Sequence, residues 1–249
     1  MASFRVVSML RKLSLMVLCS HIFGAGILGD HALRAAESGP QFIASITPVA
    51  MILKEMLGPQ AQVSVLLSPG ASPHTFEPAP SDLRRLAGGA VLVFVGKNLD
   101  DWAIKLGAKT SLGLLTLLPK AEQVFFSDHD NYGAHDEHNE KEHVHAAGSI
   151  DPHFWLNPKT VSSIVPGLRD FLCSQAPLQC GEIKSHAQKF QKKLDDLAKD
   201  LTIRLALLKG QHFVLFHLSF NYLFKVYGLK LVASIEPSLG KESSLRFIA

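Results

Sequence analysis

The chain is 249 residues long, 47% hydrophobic and 19% charged, enough apolar material to bury a core, which excludes a wholly disordered protein. Its 25 Lys and Arg against 22 Asp and Glu give a net charge of +3, and without a basic block the chain lacks the electrostatic footprint of a nucleic-acid partner. Histidine is the outlier: five of the 12 fall between His129 and His145.

Residues 1–36 begin with Arg5, Arg11 and Lys12, continue through an apolar run from Leu13 to Gly29, and end on the small residues Ala35 and Ala36. Basic, apolar and small segments in that order are the pattern of a cleaved secretory signal, so a periplasmic location is expected. The alternative is a membrane anchor, but polar residues and three glycines interrupt a run of only about 17 residues, too short for a stable span. No membrane span is expected in the mature form. Cys19 follows the bulky Leu18, which favours cleavage over lipidation.

Next, Phe42 to Thr47 (FIASIT) reads as a buried strand and Pro48 to Leu57 as a helix opened by its proline. Gln62 to Leu67 is a second strand, followed by SPGASPH and a helix from Pro80 to Leu86 N-capped by a nearby polar residue. Ala90 to Val95 (AVLVFV) is a third strand, apolar on both faces. Apolar strands alternating with helices indicate an α/β lobe whose parallel sheet is covered on both sides. Ligands in such folds sit beyond the carboxyl ends of the strands, where SPGASPH and VGKNLDD fall.

Asp128 to His145 carries five His (His129, His135, His138, His143, His145), six acidic residues and almost nothing apolar. It reads as a flexible loop able to hold divalent transition metals weakly at several places; the plain alternative is a solvated linker. Cys173 and Cys180 lie in FLCSQAPLQCGE between two helical patterns, and in an exported chain a disulfide between them is expected rather than two free thiols. From Glu182 to Leu208, apolar residues recur in steps of four and three, which predicts one long amphipathic helix ended by Lys209-Gly210. HFVLF (212–216), a helix over Leu218 to Tyr227 and a strand over Leu229 to Ile235 open a second α/β lobe. KESSLRFIA reads as a helix cut at Ala249, so this lobe is expected to be incomplete and the chain truncated.

The predicted organisation is a signal peptide (1–36), an N-terminal α/β lobe with its His-rich loop (37–150), a transition segment (151–180), a long linking helix (181–209) and a partial C-terminal α/β lobe (210–249). Outside the loop, His74 in GASPHTFEP, His153 in DPHFWLNP and His217 in VLFHLSFNY each sit at a structural transition among stiff neighbours. Three neutral imidazoles suit Zn(II) and leave one tetrahedral position for a further ligand. Any one of these histidines alone reads equally well as a hydrogen-bonded structural residue.

At these positions the sequence resembles the metal-binding solute-binding proteins of ABC importers, the ZnuA/TroA-like family. The resemblance rests on PGASPHTFEPAPSDLRRL, the acidic His-rich loop, DPHFWLNP, the long helix and FHLSFNYLFKVYGLKLVASIEPSLGKE, and covers residues 41 to 249. It implies two α/β lobes bridged by a rigid helix, with metal in the interlobe cleft held by His74 and His153 from the first lobe and His217 from the second. It also implies a monomer that delivers its cargo to an ABC permease and ATPase. Manganese-selecting members usually carry a carboxylate at the third position, so His217 favours Zn2+ over Mn2+.

This sequence departs from the family pattern in three places. Pro73 stands where some zinc-binding members place a Glu ligand, Leu218 replaces an acidic residue after the third His, and the fourth-ligand region lies beyond Ala249. On this reading the protein is not an enzyme: it captures zinc, with affinity falling as pH drops through about 6.5, the reference imidazole value. The rivals are an exported metal-binding adhesin or zinc buffer, a decayed copy, and a zinc hydrolase. The hydrolase is disfavoured because neither HExxH nor G-x-S-x-G occurs and no Glu adjoins a ligand as general base except Glu77, three residues after His74.

Overall fold

Two short apolar segments form the centre of the structure. Strands β1 (Phe42–Ala44) and β3 (Val91–Phe94) are buried on both faces, as their lack of polar side chains requires. They pair in parallel with Phe42 opposite Val91, while β2 (Val63–Val65) flanks β1 and β4 (Thr110–Gly113) flanks β3, giving the all-parallel order β2-β1-β3-β4. The computed structural model describes residues 40–126 and 148–235. The expected signal peptide, the five histidines of the His-rich loop and the KESSLRFIA segment lie outside the described residues.

Alternation along the strands sends side chains to opposite faces. Phe42, Ala44, Val91 and Val93 join one core cluster, and Ile43, Leu92 and Phe94 join a second with Leu86, Trp102 and Leu106. The sheet is therefore covered on both sides, as the sequence predicts. Helix α1 (Thr47–Leu57) has its proline in the first turn. Helix α2 (Pro80–Ala87) corrects one expectation, because no polar residue occupies its N-cap. The position is Ala79, and the Asp82 carboxylate reaches back to accept from the Ala79 N–H at 2.9 Å, satisfying an orphan donor from inside the helix.

Helix α3 (Pro158–Gln175) starts at Asn157, whose side-chain oxygen accepts from the Lys159 N–H, and buries Val161, Ile164, Val165, Leu168 and Leu172 in the first cluster. The expected disulfide is present: Cys173 in its last turn is bonded to Cys180, the first residue of α4 (Cys180–Leu205). At 26 residues and 1.5 Å per residue, α4 is about 39 Å long. It buries Ile183, Ala187, Phe190, Leu194 and Ala198. The predicted stripe does not persist: Leu197 and Leu208 are exposed, and the helix tightens into a 3-10 turn over Ala206–Leu208.

Beyond α4, β5 (His212–Leu215), helix α5 (Asn221–Tyr227) and β6 (Lys230–Ser234) make a βαβ unit with a two-stranded parallel sheet. The helix predicted from Leu218 begins instead at Asn221, since residues after His217 are used in a turn closed by the Ser219 N–H on the His217 carbonyl at 2.9 Å. An antiparallel bridge between Phe125 and Ile150 joins the chain on either side of residues 127–147, continued by the Asp151 N–H on the Val124 carbonyl at 2.8 Å. Among the described residues, no helix is long and apolar enough to cross a membrane.

Candidate metal centre

The β2-β1-β3-β4 order places β1 between strands reached by connections running in opposite directions, and the loops at their carboxyl ends face the position where α/β sheets bind ligands. The loop after β2 carries His74. The loop after β3 carries Asn98, whose φ of 69° is left-handed, a conformation asparagine tolerates better than most residues. A buried carboxylate fixes this second loop: Asp100 accepts from the N–H groups of Val95 (2.9 Å) and Gly96 (2.7 Å) and from the Ser45 hydroxyl at the end of β1. Burial pushes the Asp100 carboxyl up from its ordinary value, and the hydrogen bonds from Ser45, Gly96 and Val95 oppose that shift.

His74 is positioned from two directions. Its Nδ1 lies 3.1 Å from the Asn98 carbonyl, and because a carbonyl only accepts, Nδ1 carries the proton and Nε2 the lone pair. The indole N–H of Trp102 donates to the Pro73 carbonyl at 2.8 Å, and the ring of Phe76 packs edge-on against Trp102 at 4.6 Å. His153 follows the same logic with a charged acceptor. One carboxylate oxygen of Asp151 accepts from both the backbone N–H (2.8 Å) and Nδ1–H (2.7 Å) of His153, which again assigns the lone pair to Nε2 and fixes the ring orientation. His217 leaves the carboxyl end of β5 on its turn.

The three imidazoles converge. One ligand atom from each of His74, His153 and His217 lies within 4.8 Å of the others, and their ring centroids are 5.3 to 5.9 Å apart. The Nε2 atoms of His153 and His217 approach to 3.5 Å. Two nitrogens on one zinc ion are separated by about 3.3 Å, given Zn–N bonds of about 2.0–2.1 Å and a tetrahedral angle. The 3.5 Å between His153 and His217 is close to that spacing, and the His74 ligand atom lies within 4.8 Å of both.

Electrostatics favour the metal-ready state of His74. Burial lowers its pKa to about 3, helped by the neighbouring His153 and His217 and only partly opposed by the Asn98 carbonyl. The imidazole is therefore neutral at ordinary pH, and protons do not compete for its lone pair.

The structure brings together the three histidines singled out from the sequence. The cysteine pair is used in the disulfide. His129, His135, His138, His143 and His145 lie outside the described residues. Sequence reasoning passed over the groups that orient the rings: Asn98, Asp100, Trp102 and Asp151. The D-x-H spacing of Asp151 and His153 is the one local signal that points to such a partner, since a loop carboxylate two residues before a histidine can bend back onto it.

The family model for the periplasmic component A of the zinc-uptake complex, ZnuA, matches residues 43–249. The zinc-binding protein AdcA of Streptococcus pyogenes serotype M3 is 27% identical over 253 residues, which cover 95% of this chain and 48% of that protein. The chain thus spans about half the length of the AdcA relatives it matches. A putative metal-binding protein of Thermotoga maritima is 32% identical over 212 residues, covering 84% of this chain and 68% of its own. Among solved structures, the Zn(II)-bound ZnuA-like domain of Streptococcus pneumoniae AdcA superposes with a TM-score of 0.60 at 26% identity, covering 79% of this chain and 67% of that one.

Proposed function

Since the chain belongs to the ZnuA family of periplasmic zinc-uptake components, we propose that it is an exported solute-binding protein that captures Zn(II) with His74, His153 and His217 and delivers it to an ABC permease and ATPase. The observation that carries this reading is the convergence of three imidazole ligand atoms within 4.8 Å, from loops far apart in the chain. An all-nitrogen set is a better match for Zn(II) than for Mn(II), which prefers oxygen. AdcA relatives are zinc-binding by name, and one is solved with Zn(II) bound.

The task is capture and release, not turnover. The carboxylate nearest the cluster along the chain, Asp151, is engaged in holding His153, which takes it out of contention as a general base of a zinc hydrolase. Export to an oxidising compartment agrees with the Cys173–Cys180 disulfide. The His-rich loop serves in this scheme as a weak collector that raises the local zinc concentration beside the tight site. Deleting residues 128–145 is expected to remove weak binding and keep one tight site; an unchanged stoichiometry in calorimetry would refute the collector role.

The direct test is metal analysis and zinc titration of the protein beside His74→Ala, His153→Ala and His217→Ala. The chain has two tryptophans: the Trp155 ring lies 5.3 Å from the His153 ring, tilted against it, and Trp102 holds the His74 loop, so intrinsic fluorescence should follow occupancy. Loss of tight zinc in all three variants supports the site. Binding indifferent to all three would overturn it.

A further inference from the structure

Tyr222 is 1% exposed and lies in the first turn of α5, five residues after His217. Its hydroxyl donates to the Asp151 carbonyl at 2.9 Å and accepts from the Val124 N–H at 3.4 Å. Its own carbonyl accepts from the Asn157 side-chain amide at 3.2 Å. These bonds tie the helix that follows His217 to both strands at the Phe125–Ile150 bridge and to the N-terminus of α3. The residue whose carbonyl receives the hydroxyl is the same Asp151 whose carboxylate orients His153.

The preceding carbonyl is gripped from the other side. The Asn98 side-chain amide donates to the Ile150 carbonyl at 2.8 Å, while the Asn98 main-chain carbonyl holds His74. Two consecutive peptide carbonyls therefore act as a common reference: Ile150 for the His74 loop, Asp151 for the His217 segment. We propose that Tyr222 is a positioning residue for metal capture, its hydroxyl setting the separation of His217 from His153 through the Asp151 carbonyl. This rests on the zinc-capture reading.

Two physical points favour this role over simple packing. A fully buried tyrosine needs a partner for its O–H, and this one takes its partner from the ligand-bearing loop instead of from the core beneath it. Burial also pushes the Tyr222 hydroxyl well above the ordinary tyrosine value, so it remains a donor across the range in which the protein works. Because the His153 and His217 nitrogens stand 3.5 Å apart, a shift of α5 that carries the His217 turn with it changes the spacing these two nitrogens offer a shared ion.

The experiment is a double-mutant cycle on zinc affinity, with Co(II) as spectroscopic probe. Tyr222→Phe keeps the ring and removes only the hydroxyl. It is expected to weaken zinc binding about tenfold, in the range seen when outer partners of metal ligands are removed, and to reduce the intensity of the tetrahedral Co(II) visible bands. In a His217→Ala background the same change should have no further effect on the remaining affinity, since Tyr222 acts through His217. Asn98→Gly, which accommodates the left-handed backbone, provides a second arm: its effect should vanish in a His74→Ala background. Equal losses with and without His217, or Tyr222→Phe affinity and Co(II) spectra matching the parent, overturn the proposal while leaving zinc capture intact. Absence of tight zinc in the parent protein overturns the capture reading and this inference with it.

Discussion

Removing the Asp151 carboxylate tests most directly whether the His153 ring is held for a metal. Asp151 and His153 are both buried, and one carboxylate oxygen takes two hydrogen bonds from His153, at 2.7 and 2.8 Å. The other oxygen, Oδ2, is buried and takes no hydrogen bond among the described residues, so the carboxylate gains from a cation arriving at the far side of the imidazole. Asp151→Ala deletes the charge and the acceptor, freeing the ring to rotate and to change tautomer. The expected loss is about 10- to 100-fold in zinc affinity, or about 1.4–2.7 kcal/mol. Asp151→Asn retains an acceptor oxygen without the charge and should fall between the parent and the alanine variant. Competition against a chromophoric chelator, with tryptophan fluorescence as a second readout, measures both. Affinity of Asp151→Ala within threefold of the parent would show that the carboxylate does not prepare His153 for a metal.

Two further outcomes follow from the same groups. The His74 pKa is lowered to about 3 in the folded protein against about 6.5 when unfolded, so between these values the unfolded state binds the extra proton. Zinc-free stability should therefore fall as pH drops from about 6.5 toward 3, by at most about 1.4 kcal/mol per pH unit from this residue; urea melts at several pH values should show a shallower slope for His74→Asn, and an identical slope would refute the assignment. The Cys173–Cys180 bridge closes a loop of sequence separation 7, and its reduction or replacement by two alanines should cost about 2–3 kcal/mol in the chain-entropy model. That would appear as a lower denaturation midpoint, and a midpoint unchanged by reductant would contradict it.

The parallel sheet was legible because its central strands are apolar throughout, a pattern that only burial on both faces explains. Strand β4 was not. TSLG mixes polar and small residues at a sheet edge, and it becomes a strand because Val91, Leu92, Val93 and Phe94 offer it an open ladder. The same override shaped α4, where local periodicity continues past Leu194 but burial of the leucine stripe does not: Leu197 and Leu208 stay exposed while Ala198 is buried. Periodicity reports which face is apolar; it does not report how far the neighbouring elements extend.

Sequence alone pointed to the cysteine pairing and to the parallel first sheet, because these depend on residues close along the chain or on strand composition, and it singled out the three imidazoles by their stiff local settings and by family resemblance. Tertiary structure alone decided that His153 and His217, 64 residues apart, bring their nitrogens to 3.5 Å, and that Asn98, Asp151 and Tyr222 register the loops around them. Backbone preferences act over a few residues, whereas coordination needs distances fixed to tenths of an ångström between segments whose separation is set only when the sheets, the helices and the Phe125–Ile150 bridge pack together.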